Sequence, residues 1–105
     1  MTDKVLVLTT AGSEAEAREI ANELVERRLA ACVNIVPRIQ SVYRWEEKVE
    51  TAEEFLLIIK TTKTRSADIK VAIRELHSYD LPECVVISMD DGSQEYLQWI
   101  EDSIG

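Results

Sequence analysis

The chain has 105 residues, enough for one domain and too few for two, so residues 1–105 are read as a single unit. With 46% hydrophobic and 30% charged residues, it is too apolar to be disordered. A formal net charge of -8 repels phosphate backbones and anionic lipid, which argues against nucleic acid and membrane surfaces as partners. No apolar run approaches the ~20 residues of a bilayer span, and Met1-Thr2-Asp3-Lys4 carries no basic segment ahead of an apolar one. The expected location is the cytosol. Two cysteines, Cys32 and Cys84, are too few for a disulfide framework and are expected as reduced thiols.

Val5 to Leu8 is a short β-rich run closed by Thr9-Thr10-Ala11-Gly12, which predicts a strand buried on both faces. Ser13 opens a helix with Glu16 at the capping-box spacing. Ala17, Ile20, Ala21, Leu24, Val25 and Leu29 form its apolar face, with Glu14, Glu19, Glu23 and Arg27 opposite. From Val33 the period becomes two: Val33, Ile35, Pro37, Ile39 and Tyr43 are expected on one face, Asn34, Arg38, Gln40 and Arg44 on the other. Pro37 cannot donate to a ladder, which predicts an edge or an irregularity there. After a polar tip at Glu46-Glu47-Lys48, a return strand from Val49 ends in the run Phe55-Leu56-Leu57-Ile58-Ile59, making an extended hairpin.

A second helix follows Lys63 to Ser66, with Ile69, Ala72, Ile73 and Leu76 at helical spacing, and ends near His77. Leu81-Pro82 stops further helix, and residues 84–89 predict a fourth strand closed by Asp90-Asp91-Gly92. Ser93 caps a last helix carrying Leu97, Ile100 and Ile104, with Tyr96 and Trp99 beside them.

The order is βαββαβ plus a C-terminal helix, an α+β ferredoxin-like split β-α-β with an antiparallel sheet. Its two main helices cover one face of the sheet. The runs at 5–8, 55–59 and 85–87 are apolar at consecutive positions, so the other face is hydrophobic as well. A soluble monomer does not normally expose so large a patch, and closed symmetry is the usual way to hide it. The chain is therefore expected as its own partner, in a homo-oligomer packed sheet to sheet.

The stretches Leu29-Ala30-Ala31-Cys32-Val33-Asn34-Ile35, Ser41-Val42-Tyr43-Arg44-Trp45-Glu46, Ile59-Lys60-Thr61, His77-Ser78-Tyr79-Asp80-Leu81-Pro82-Glu83 and Tyr96-Leu97-Gln98-Trp99-Ile100 resemble the CutA divalent-cation-tolerance family. Five motifs in order, from the first strand to the last helix, make the resemblance specific. It implies a ferredoxin-like homotrimer with the three sheets inward, a cytosolic protein linked to copper and divalent-metal tolerance. Three positions depart from the family pattern. Glu47 stands where the family often has glycine, which costs about 1 kcal/mol if the turn needs a positive φ. His77-Ser78-Tyr79 replaces a His-Pro-Tyr, and Thr9 stands where the family has a cysteine associated with copper.

His77, the only histidine, and Glu83 are the candidate metal ligands, an imidazole nitrogen and a carboxylate suited to Cu(II) or Zn(II). Two ligands make a weak site at most, so no tightly bound cofactor is expected, only copper or another divalent cation in exchange. The competing reading seats His77 at the helix C-terminus, bound to the last carbonyls. Cys32 and Cys84 read as small buried hydrophobes, and Glu46-Glu47, Glu53-Glu54 and Asp90-Asp91 as solvated charge.

Tyr43, Trp45, Lys60 and Tyr79 are placed around an inter-subunit cleft, where aromatics and one ammonium suit a small anion. The other reading of Tyr43 and Trp45 is as interface anchors, and of Lys60 as a strand-end snorkel or a buried, paired charge. G-x-S-x-G, G-x-G-x-x-G, Walker A and H-E-x-x-H patterns are missing, so no enzyme is predicted. The expected function is a trimeric, weakly metal-binding tolerance protein or assembly scaffold. The alternative is a PII-like trimeric signalling protein that binds a small anionic ligand at its subunit clefts.

Overall fold

The computed structural model describes residues 2–105. In chain order the elements are β1 (Lys4–Ala11), α1 (Glu14–Glu26), β2 (Cys32–Trp45), β3 (Lys48–Thr62), α2 (Lys63–Leu76), β4 (Val85–Ser88) and α3 (Gln94–Ser103). The four strands make one antiparallel sheet in the order β2-β3-β1-β4, the ferredoxin-like arrangement the element order implies. β4 is shorter than expected by one residue at each end.

Side-chain caps place the helix starts. Ser13 Oγ accepts from the Glu16 N–H at 3.1 Å, Thr62 Oγ1 from Arg65 at 3.3 Å and Ser93 Oγ from Tyr96 at 3.4 Å, each satisfying an orphan donor of the first turn. α1 ends in a Schellman turn: Leu29 N–H donates to Leu24 O and Arg28 N–H to Val25 O, both at 3.0 Å. Arg28 takes φ 60° there, and the helix therefore stops before Leu29. Leu29 still packs on the core, whereas Val25, expected on the buried face, is exposed.

Odd-numbered residues of β1 and β3 face α1 and α2. Val5, Val7, Ala11, Leu57 and Ile59 are buried with Ala17, Ile20 and Leu24 of α1 and Ile69, Ala72 and Ile73 of α2. Even-numbered residues face the other way. Across that second face the register aligns Val36 with Leu56, Ile58 with Leu8 and Val85, and Leu6 with Ile87. α3 crosses part of this face: Lys4 Nζ reaches Glu101 at 3.0 Å, Lys60 Nζ donates to Tyr96 Oη at 3.3 Å, and Ile100 is buried. The second face is thus partly roofed by the chain's own last helix, and Val36, Val85 and Ile87 remain exposed.

Pro37 does what its missing N–H requires. β2 is an edge strand, and its pairing slips between Val36 and Ile39, with Arg38 at φ 55°, a β-bulge. The extra residue reverses the alternation that follows. Val33 and Ile35 pair with Ile59 and Leu57 on the helix side, but Ile39, Ser41, Tyr43 and Trp45 pair with even-numbered β3 residues on the opposite side. The expectation that Ile39 and Tyr43 share a face with Val33 and Ile35 is overturned, because one inserted residue flips every later side chain.

Beyond the bulge the hairpin runs out as an arm, and the molecule measures 44 × 26 × 22 Å. Its two-residue loop, Glu46-Glu47, has φ 49° and 67°, the primed-turn geometry that matches strand twist and favours Asn-Gly. Replacing the pair with Asn-Gly is expected to raise stability by about 1 kcal/mol, read as a shifted urea midpoint at unchanged slope.

Candidate functional site

The segment 77–83 leaves α2 and folds over the end of the sheet toward the second face. His77 caps α2, its N–H donating to Ile73 O at 2.9 Å, and its side chain is fully buried. The ring Nε2 lies 2.5 Å from Thr10 O, a carbonyl that can only accept, so Nε2 carries the proton. Nδ1 is then the acceptor, and it takes the Tyr79 N–H at 3.1 Å. Both nitrogens are occupied.

Glu16 tightens the same segment. Its amide completes the Ser13 cap, but its carboxylate does not close a capping box; Oε2 accepts the Ser78 N–H at 2.8 Å. Burial pushes this carboxyl up, yet hydrogen bonds from Ser78 outweigh it and hold the group below the ordinary glutamate range. The loop therefore hangs on one carboxylate and one imidazole.

Tyr79 packs against His77 with ring centroids 4.5 Å apart and planes tilted by 43°, and its hydroxyl donates to Glu54 Oε2 at 2.8 Å. Burial first, and then the Glu54 carboxylate, push the phenol well above its ordinary pKa, so it stays a neutral donor. Glu54 is only 8% exposed. Here the expectation of solvated charge is corrected for Glu54, whereas Glu53 is exposed as expected. Glu54 pairs with Ile39 on the same face as Leu56 and Ile58, and the loop carrying Tyr79 covers it.

These residues frame an open-mouthed cavity of about 690 Å³ at the root of the arm, lined by Tyr43 and Trp45 from the hairpin, Glu54 from β3, and Tyr79, Asp80 and Glu83 from the loop. Burial first, and then the like charge of the Glu54 carboxylate, raise the Glu83 pKa. A carboxyl whose folded pKa exceeds its unfolded value stabilises below the ordinary carboxylate range and loses that contribution as pH rises through the folded value. Glu83→Gln is therefore expected to raise the melting temperature at pH near 7. The gain should vanish in acid, which paired thermal scans will show.

The structure brings together Tyr43, Trp45, Tyr79 and Glu83 and leaves two predicted residues outside. Lys60 lies at the other end of the sheet, paired with Leu6 and Cys32, its ammonium 5.5 Å from the Tyr96 ring centroid. It is half-buried near the end of β3 with its ammonium at the Tyr96 ring and no carboxylate partner among the described residues, which fits the snorkel and not the buried, paired charge. His77 lies behind the cavity wall, holding Tyr79 rather than facing in. Glu54 was the residue missed; strict period-two counting back from Leu56 and Ile58 would have put it on their face. The thiols of Cys32 and Cys84 are part-exposed rather than fully buried, and burial pushes Cys84 up, the mark of an unreactive thiol.

Thr9, which stands where the resemblance implies a cysteine, is completely buried on the helix side, and its Oγ1 has no hydrogen-bond partner among the described residues. A hard, sealed hydroxyl does not suit copper. No group of three His, Cys, Asp or Glu side chains converges on a common point among the described residues.

Sheet order, helices on one face and a roofing third helix on the other define a ferredoxin-like α+β protein with a cleft at the root of its hairpin arm. The family model described as CutA1 divalent ion tolerance protein matches residues 5–103, and the chain belongs to that family. It is 46% identical over 100 residues to the divalent-cation tolerance protein CutA of Thermus thermophilus, covering 95% of this chain and 97% of that one. The chloroplastic CutA of Arabidopsis thaliana is 40% identical, and this chain spans 54% of its length. Among solved structures, CutA from Xylella fastidiosa superposes with TM-score 0.97 at 38% identity, covering 99% of this chain and all of that one.

Proposed function

We propose that the chain works as a homotrimer, without catalytic activity, in the cytosolic tolerance of divalent metal ions, with copper the first candidate, and that it holds metal weakly while serving as an assembly scaffold. The observation that carries the trimer is the second sheet face, where Leu6, Leu8, Leu56 and Ile58 are only partly covered and Val36, Val85 and Ile87 are exposed. That is more apolar surface than a soluble single chain leaves open, and three copies packed sheet to sheet would remove it from water. Family membership supports the link to divalent ions.

For the metal, 20 acidic against 12 basic side chains attract cations without selecting among them. Of the predicted pair His77 and Glu83, the imidazole has no free nitrogen, so solvated carboxylates such as Asp90-Asp91 are the better holders. The anion-sensing alternative draws no support from the arm, which ends in a two-residue turn rather than a long loop.

Titration of tag-free protein with Cu(II) and Zn(II), beside native mass, tests the reading. Trimer mass and weak binding that His77→Ala leaves unchanged per folded chain are expected. A monomer that ignores both metals would refute it.

A further inference from the structure

The helix layer lies on the side of the sheet away from the second face, so sheet-to-sheet packing leaves it in water. Each of its helices turns a ridge outward, opposite its buried stripe. On α1, Ala17, Ile20, Ala21 and Leu24 go inward, while Ala15, Glu19, Asn22 and Glu26 stand exposed on the far side. On α2, Ser66, Ile69, Ala72 and Ile73 go inward, while Lys63, Ala67, Lys70 and Arg74 stand exposed. One ridge carries only acids and the other only bases. Other charges of these helices are spent locally: Glu14 pairs with Arg18, Glu23 with Arg27 and Asp68 with Arg65. The charged side chains of the two ridges have no ion-pair partner among the described residues.

The ridges also share a spacing. Successive members are four, three and four residues apart on each, the repeat that keeps side chains in line along a helix. α1 and α2 run antiparallel, because the strands they follow, β1 and β3, are antiparallel, and Glu16 at the start of α1 meets Ser78 beyond the end of α2. A two-fold axis parallel to the helices therefore lays α1 of one copy along α2 of another in opposite directions, and the reverse contact forms with it. Glu19 and Glu26 then fall among Lys63, Lys70 and Arg74. The small residues between these charges let the helices approach. At -8 per chain two copies repel at long range, but ridges in contact lie well inside a Debye length of about 10 Å, where the local signs decide.

We infer that the outer helix layer is a docking surface for a second copy of this chain, with the acidic ridge of α1 set against the basic ridge of α2 in both directions. This pairing uses the face opposite the proposed sheet-to-sheet contact. It joins assembled units to one another and forms between single chains as well. Exposed ion pairs are individually weak, so a dissociation constant on the order of 1 mM is expected.

Sedimentation equilibrium and concentration-dependent amide shifts of the full chain, followed up to about 1 mM, test the pairing. A rise in average mass with concentration is expected, with shifts confined to residues 15–26 and 63–74. Chains kept single by Ile58→Lys should stop at two copies. Glu19→Lys with Glu26→Lys, and separately Lys70→Glu with Arg74→Glu, should each weaken the pairing about tenfold or more, although they move the net charge in opposite directions. All four substitutions together keep the wild-type net charge and should restore it. Constant mass over that range, opposite effects of the two double variants, or no recovery in the fourfold variant would each overturn the assignment. So would saturable binding of poly-L-glutamate without any rise in mass, which gives the basic ridge to a foreign acidic partner. The mass at high dilution reports the trimer by itself, so failure of that reading stays distinguishable.

Discussion

Ile58→Lys is expected to yield folded single chains, and Ile59→Lys no folded protein at all. The two residues are neighbours on β3, but successive side chains of a strand point to opposite faces. Ile59 is completely buried among α1, α2 and β1, where an unpaired ammonium has no partner and costs about 5 kcal/mol or more, the whole stability of many domains. Ile58 lies on the second face between Leu8 and Asn34, part-exposed within the chain and buried only if copies cover it. A lysine there can reach water in the monomer but puts like charges together in a trimer. Sedimentation and far-UV circular dichroism distinguish the outcomes. An Ile58→Lys protein that keeps the wild-type mass would show that this face is not the interface.

The second large effect is expected at His77. Truncation to alanine removes a fully buried ring and orphans two backbone groups at once, the Thr10 carbonyl and the Tyr79 N–H. A buried aromatic-sized cavity and an unsatisfied buried polar group each cost a few kcal/mol, so a loss of about 3 kcal/mol is expected in urea unfolding. The consequence travels to the cavity. Tyr79 packs against this ring, and its hydroxyl is the partner of Glu54, so the loop should loosen and amide exchange at 78–83 should quicken. A variant as stable as wild type with unchanged exchange would refute the positioning role.

Much of this was readable before any coordinates. The change from helical to strand period at Val33, the caps at Ser13 and Ser93, and the stop at Leu81-Pro82 follow from local chemistry, where a side chain and its near neighbours suffice. So does the conflict between consecutive apolar residues in the strands and a single layer of helices. Even Pro37 announced an irregularity. Its consequence could not be read, because whether an irregular residue is absorbed without changing parity or inserts one extra position depends on how β2 pairs with β3. That pairing moved Ile39 and Tyr43 to the other face and put Tyr43 and Trp45 on the side of Glu54.

What the sequence alone determined is the element order, the ferredoxin-like class and the excess of apolar strand surface, carried by spacing and composition along the chain, with the family carried by the resemblance of its five motifs. Only the tertiary structure decided which face each hairpin residue takes, that α3 roofs part of the second face, that His77 spends both nitrogens on the backbone, and that Glu54 is buried beneath the loop that carries Tyr79. These are contacts between residues distant in sequence, and no local propensity encodes them. The hydrogen bond from Tyr79 to Glu54 spans 25 positions, and it exists because a loop and a strand meet only after the sheet has closed.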